Sequence, residues 1–231
     1  MFNGVVRSLH NLYFGGNWTM YAKIKRLLDI MFSFIGIVVA SPVLAIVALA
    51  VKLDSKGPVI FKQERLGKDG KVFLIYKFRS MCVGAEKMGS GQYSFKGDSR
   101  ITRVGKIIRA TSLDELPQFF NIIKGDMSFI GPRPTLTYHP WKLEEYTDFQ
   151  RRRFEVRPGI TGLAQVNGRK KIDWVDRIKY DVEYVDNMSL ALDCKILFKT
   201  VVNVFMMKDN RNDGKTANES GDNDVKADVH N

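Results

Sequence analysis

Between Ile30 and Val51 the chain reads IMFSFIGIVVASPVLAIVALAV, 22 residues without a charge. A straight α-helix of that length reaches about 33 Å, close to the hydrocarbon thickness of a bilayer. A membrane segment is therefore expected in preference to the core helix of a soluble protein. A cleaved leader is a poor fit. Ala48-Leu49-Ala50 resembles a cleavage site, but the leader and its apolar run would both be too long. Two details oppose a simple crossing. Lys23, Lys25 and Arg26 precede the run and Lys52 and Lys56 follow it, so the positive-inside tendency asks for both ends in the cytoplasm. Ser41-Pro42 falls at the midpoint, and proline removes a helical hydrogen bond and disfavours helix at the residue before it. Each half, about 11 residues or 16 Å, reaches the bilayer centre. A helix that enters, breaks at Ser41-Pro42 and returns meets both constraints. The alternative is a kinked helix that spans, which membranes permit.

Charge narrows the partners. The chain of 231 residues carries a formal +11. The tail from Lys208 onward is net −2, which leaves +13 on residues 1–207. A basic body suits a polyanion: nucleic acid, an anionic membrane surface or a phosphorylated small molecule. The two cysteines, Cys82 and Cys194, form no metal-like cluster or disulfide framework and read as reduced thiols. His10, His139 and His230 are too scattered for a histidine metal site or a Ser-His triad.

The rest of the chain alternates short signals. Val59–Gln63 and Val72–Phe78 are β-like, and Gly67 with Asp69-Gly70 between them is hairpin chemistry. Gly84–Ser99 reads as a loop and Val104–Ala110 as a short basic helix. A helix is expected from about Ser112 to Lys124, ended by Gly125. Trp141–Glu155 reads as a basic amphipathic helix, Arg157–Arg169 as a glycine-rich loop, and Asp173–Val185 and Leu190–Met207 as helices apolar on one face. The polar tail has the composition of a disordered segment.

Within this pattern TSLDELPQFFNI, Thr111–Ile122, has two readings. Ser112 followed by Glu115 is a capping-box spacing, on which the acids only start a helix. Alternatively, Asp114 and Glu115 are a reactive carboxylate pair. Lys77, Arg79, Arg100, Arg103, Lys106, Arg109 and Arg133 surround the pair in sequence. Such a stretch can be a solvated face. Arg133, however, is set between Pro132 and Pro134, whose fixed backbone suits a guanidinium fork, and Arg109 lies five residues from Asp114. The apolar anchor favours a phosphorylated lipid over nucleic acid. No nucleic-acid module or stacking platform is recognisable.

The SP within the apolar run, YKFRSM, TSLDELPQFFNIIKGDMSFIGPRP and RPGITGLAQVNGR, in that order, resemble the bacterial sugar transferases. More narrowly, the chain resembles a small monotopic phosphoglycosyl transferase over about Tyr21–Met207. With one apolar segment it looks like the minimal form. The resemblance implies a compact, mostly helical α/β domain on the cytoplasmic leaflet of the bacterial plasma membrane. It would have an N-terminal re-entrant membrane hairpin and interfacial amphipathic helices. The expected division is a loose or interfacial segment at 1–21, the hairpin at 22–56, a catalytic domain at 57–207 and a disordered tail at 208–231.

The implied reaction moves a sugar-1-phosphate from a UDP-sugar to polyprenyl phosphate and releases UMP. Asp114 maps onto the family's nucleophile, which forms a covalent phosphosugar, and Glu115 onto a ligand of Mg2+. Lys77, Arg79, Arg109 and Arg133 are candidates for the substrate phosphates, and Ser41 and Pro42 for the hairpin break. If Ser112 caps the helix, Asp114 gains the positive end of its dipole. Leu163 departs from the tryptophan usual at that place in the loop. A non-catalytic membrane scaffold of a glycan-assembly complex is the alternative function. The sugar, the final glycan and a homodimer stay open.

Overall fold

The computed structural model describes residues 2–88, 94–95, 97–168 and 173–205, with 2–19 and 205 described as backbone only. The tail expected at 208–231 and parts of the two loops lie outside these residues. Helix α1 (Phe2–Asp54) takes in the whole apolar run, with Pro42 inside it. Met20–Asp54 is long and apolar enough to cross a membrane. Pro42 has no N–H to give the Val38 carbonyl four residues back. The Ser41 hydroxyl donates to that carbonyl instead, at 2.8 Å, so the Ser-Pro pair repairs the hydrogen bond that its own proline removes. Phe34, Val38, Val39, Ile46, Leu49 and Leu53 stand exposed along the helix.

One side of α1 is tied to the rest of the chain along its length. Lys25 pairs with Asp193 at 2.7 Å. Arg26 donates to the Ile122 and Ile123 carbonyls at 2.6 and 2.9 Å. The Asp29 carboxylate accepts from the Phe129 N–H at 3.1 Å. At Gly36 a Cβ would meet the Phe119 ring at 2.8 Å. Val47 and Val51 pack on Phe78 and Ile108, and Asp54 accepts from the Val104 N–H at 2.9 Å.

Strands β1 (Ile60–Leu66) and β2 (Val72–Phe78) form the expected antiparallel hairpin. Phe61 is registered with Lys77 and Arg65 with Phe73. The two-residue period places Phe61, Gln63, Arg65, Phe73, Ile75 and Lys77 on one face. That face meets Ile122 and Met127 in the core. Helix α2 (Arg103–Ala110) starts at Thr102, whose hydroxyl accepts from the Gly105 N–H at 2.9 Å, and ends with Arg109 in its last turn.

The helix expected from Ser112 begins later. Leu113–Glu115 is a single 3₁₀ turn, and α3 is Gln118–Lys124, closed by Gly125 in the left-handed conformation. Pro117 is the physical reason. It cannot donate to the Leu113 carbonyl, so the α-helical ladder cannot run back through the acids. Leu116 N–H takes that carbonyl instead, at 3.3 Å.

The glycine-rich stretch hides a second, parallel pairing. Strand β3 (Ser128–Ile130) pairs with β4 (Gly159–Thr161). A Cβ on Gly159 would lie 2.2 Å from the Gly131 nitrogen, and one on Gly162 2.2 Å from the Gly131 carbonyl. These glycines let two backbones touch where the GPRP segment begins.

Trp141–Glu155 is not one amphipathic helix. It breaks into a 3₁₀ turn at Leu143–Glu145, α4 (Asp148–Arg151) and a second turn at Arg152–Phe154. Thr147 and Gln150 form a reciprocal capping box that restarts the chain. The apolar side faces inward: Tyr146 and Phe154 pack on Leu66, Ile178 and Val182. Helices α5 (Leu163–Asn167), α6 (Trp174–Asn187) and α7 (Leu190–Phe205) close the fold. Leu163 is buried there with Tyr184 and Ile196, so the position that departs from the family pattern is a core position. On the outside of α7, Leu197, Phe198, Val201 and Val204 are exposed.

Candidate active site

Asp114 and Glu115 sit on the tight turn between α2 and α3. Ser112 enters it in the left-handed region, at φ 58°, and makes no side-chain cap. The capping-box reading therefore fails at both ends. Ser112 lacks the extended backbone of an N-cap, and the Glu115 carboxylate turns elsewhere. Asp114 therefore does not sit at the positive end of an α-helix, since α3 starts after the acids. In a 3₁₀ turn neighbouring side chains diverge by about 120°, so the two carboxylates face different surroundings.

Glu115 Oε1 accepts from Lys77 Nζ at 2.6 Å and from Arg133 Nη2 at 3.4 Å. Burial pushes the Glu115 carboxyl up, but Lys77 and Arg133 outweigh it and hold it down at about 2. Asp114 shifts the other way. Burial raises its pKa above the ordinary aspartate value; Lys77 opposes this, Glu115 adds to it, and Arg109 and Arg133 oppose it. Two adjacent acids are thus split into a fixed anion and a carboxylate that is costly to ionise, a pattern typical of reactive sites.

Each basic partner is placed by a different element. Lys77 comes from β2, and Asn121 of α3 fixes that strand beside the turn. Asn121 Nδ2 donates to the Leu74 carbonyl at 2.7 Å and its Oδ1 accepts from the Tyr76 N–H at 2.9 Å. Arg133 lies on a segment whose carbonyls are all held. Gly159 N–H donates to Pro132 O and Leu66 N–H to Thr135 O, each at 2.9 Å. Arg153 donates to Arg133 O at 2.9 Å and Arg65 to Pro134 O at 3.3 Å. Arg153 is itself paired with Asp181 at 2.7 Å, with both side chains buried. Removing either partner would leave an uncompensated buried charge.

The other basic residues separate cleanly. Arg79 is buried, and its guanidinium donates to the Val51, Ser55 and Pro58 carbonyls at the end of α1. It closes the helix terminus rather than facing the acids, which argues against the phosphate role expected of it. Arg100 pairs with buried Asp98 at 2.7 Å. Arg103 and Lys106 are exposed on α2. The side chains brought to the acids are Lys77, Arg109 and Arg133.

Sequence reading missed Arg65, Asn121 and the Arg153–Asp181 pair. Only for Arg65 was there a signal: its even spacing from Phe61 on β1, once the hairpin register is known.

Among the described residues no group of three or more His, Cys, Asp or Glu gathers to hold a metal. Glu115 Oε2 accepts no hydrogen bond from them, and the carboxylate is ionised. One or two carboxylates completed by substrate phosphates are the usual protein share of a Mg2+ site, so these residues fit that ion.

The bacterial sugar transferase family matches residues 20–207. The chain is 48% identical over 185 residues to the UDP-N-acetylgalactosamine-undecaprenyl-phosphate N-acetylgalactosaminephosphotransferase of Aeromonas hydrophila, covering 79% of this chain and 44% of that protein. It is 47% identical over 189 residues to the UDP-glucose:undecaprenyl-phosphate glucose-1-phosphate transferase of Klebsiella pneumoniae, covering 80% and 40%. The chain thus spans less than half the length of these two relatives. It is 43% identical over 183 residues to the uncharacterized sugar transferase EpsL of Bacillus subtilis, covering 79% of this chain and 88% of EpsL. With its motifs, its turn-borne acid pair and this match, the chain belongs to the bacterial sugar transferase family.

Proposed function

We propose that this chain transfers a sugar-1-phosphate from a UDP-sugar to undecaprenyl phosphate, releasing UMP, at the start of glycan assembly on the membrane. The observation that carries the reading is the splitting of the acid pair: burial raises Asp114, while Lys77 and Arg133 hold Glu115 down. The names of the relatives support the substrate class. Those two names specify different sugars, so the likeness leaves this chain's sugar open.

The residues assign themselves roles. The Asp114 carboxylate attacks the phosphorus that bears the sugar. The bond to the bridging oxygen breaks, and its electron pair leaves on UMP. The lipid phosphate then attacks the same phosphorus and restores the carboxylate, so one two-substrate problem becomes two simpler displacements. Burial makes the ionised Asp114 reactive, while Lys77 and Arg109 offset the repulsion between carboxylate and phosphate. Glu115, anchored through Oε1, would hold Mg2+ through its carboxylate, and that ion would supply charge neutralisation for the phosphates. Incubation with a panel of UDP-sugars, Mg2+ and undecaprenyl phosphate should release UMP with at least one sugar. No release with any of them would exclude the reading.

The same proposal places both ends of the apolar run on the cytoplasmic face. The flanking lysines and arginine support this, and so does the packing. Residues before the run (Lys25, Arg26, Asp29), at its end (Val51) and after it (Asp54) contact one and the same domain. A helix crossing the bilayer between them would pull that domain through the hydrocarbon. The Ser41-Pro42 site is where such a helix would bend back. In a cysteine-free background, single cysteines at Lys23 and Lys56 should label from the same side of sealed vesicles. Labelling from opposite sides would exclude the re-entrant path.

A further inference from the structure

Arg65 is a half-buried guanidinium that makes no ion pair among the described residues. One Nη donates to the Pro134 carbonyl at 3.3 Å and the other to Gln63 Oε1. Its nearest acids are already engaged: Gln63 donates to Glu86, and Glu115 is shared by Lys77 and Arg133. Burial and the neighbouring charge of Arg133 lower the Arg65 pKa to about 10, with Tyr138, Glu86 and Glu115 partly offsetting them. Lys77 and Arg133 already share the Glu115 carboxylate, so Arg65 adds a positive charge in surplus, and that surplus calls for an anion.

The arrangement also has a direction. Lys77 and Arg65 lie on one face of the hairpin, four residues apart in register, about 13 Å along the strands. Lys77 and Arg133 meet the Glu115 carboxylate, next in the chain to Asp114, at 2.6 and 3.4 Å. Arg65 holds the carbonyl of Pro134, the residue after Arg133, at 3.3 Å. Arg133 is thus the hinge between a reacting end at Asp114 and a second basic end at Arg65. The chain that Arg65 braces at Pro134 runs on within a few residues to an aromatic group. Tyr138 is exposed, and His139 packs edge-on against Trp174, over which Arg177 is stacked at 4.9 Å.

We infer that Arg65, together with Arg133, grips the phosphate of the leaving nucleotide, so that the nucleoside half of the substrate points from Asp114 towards Tyr138 and Trp174. This rests on the proposed sugar-phosphate transfer and adds to it the orientation of the substrate. A merely structural Arg65 would brace Pro134 and leave nucleotide selectivity alone. A phosphate contact makes the chain favour UMP over uridine.

The test is equilibrium binding of UMP and of uridine to the full chain in nanodiscs, for the wild type, Arg65→Gln and Arg65→Lys. Arg65→Gln should lose about tenfold or more in UMP affinity with uridine binding unchanged, the range for a hydrogen bond to a charged group. Arg65→Lys keeps a cation and should fall between. If Arg65→Gln does not fold, by its thermal transition, Arg65→Lys alone decides. Unchanged preference for UMP in the folded variants overturns the inference, as does failure of the wild type to bind UMP. Binding needs no turnover. Wild-type UMP release from a UDP-sugar, run alongside, reports separately on the proposed reaction.

Discussion

Asp114→Asn should abolish UMP release, by at least about 10⁴-fold, the scale seen when a covalent nucleophile is removed. The fold should not suffer. The folded chain raises the Asp114 pKa, so holding this group ionised at neutral pH costs stability, and that cost vanishes with the amide. The melting temperature of Asp114→Asn should therefore match or exceed that of the wild type. A large loss of turnover with a lowered melting temperature would point to a structural role instead. The same shift sets the pH profile. Activity needs the carboxylate, so kcat/KM should fall about tenfold per unit as pH drops through a value above the ordinary aspartate range. Glu115, held at about 2, stays ionised across that window and adds no second limb. Lys77→Met removes a charge that favours the Asp114 anion, and should move the limb to higher pH.

Glu115→Gln should have the second largest effect. The amide keeps the shape but removes the anion that Lys77 and Arg133 converge on. It also removes the carboxylate offered to Mg2+. Metal-ion stabilisation is worth several kcal/mol, so a loss on the order of 10²–10³ in kcat/KM is expected. The signature lies in the metal titration: half-maximal activity should need distinctly more Mg2+. A variant with wild-type Mg2+ dependence and reduced rate would show that Glu115 only positions Lys77 and Arg133.

What could be read from the sequence divides along physical lines. The β-hairpin, α2, α6 and α7 follow from local periodicity and turn residues, and they stand close to where the sequence puts them; the apolar run is helical as expected, but α1 continues through Ser41-Pro42 without the break expected there. The Asp114–Glu115 pair, Lys77, Arg109 and Arg133 were legible through motif order and residue type. Two helices were misread for one reason: a local feature overrode an apolar pattern. At Pro117 it was a missing N–H, and at Thr147 a capping box in mid-segment. Arg79 was misplaced because it follows β2, one residue past its end, and turns to the end of α1 instead of the acids. Arg65 and Asn121 act across 45 or more residues of sequence. Such contacts depend on which strand face meets which helix; local spacing gives the face of Arg65 only after the hairpin register is known, and gives nothing for Asn121.

The central claim is a covalent phosphosugar on Asp114, and intact-mass analysis with UDP-sugar and Mg2+ in the absence of lipid tests it most directly. The account predicts one equivalent of UMP released, a mass increase equal to one sugar phosphate that maps to Asp114, and loss of both in Asp114→Asn. Wild-type enzyme that turns over once undecaprenyl phosphate is added, yet gives neither UMP nor adduct without it, would contradict the account and indicate direct attack by the lipid phosphate.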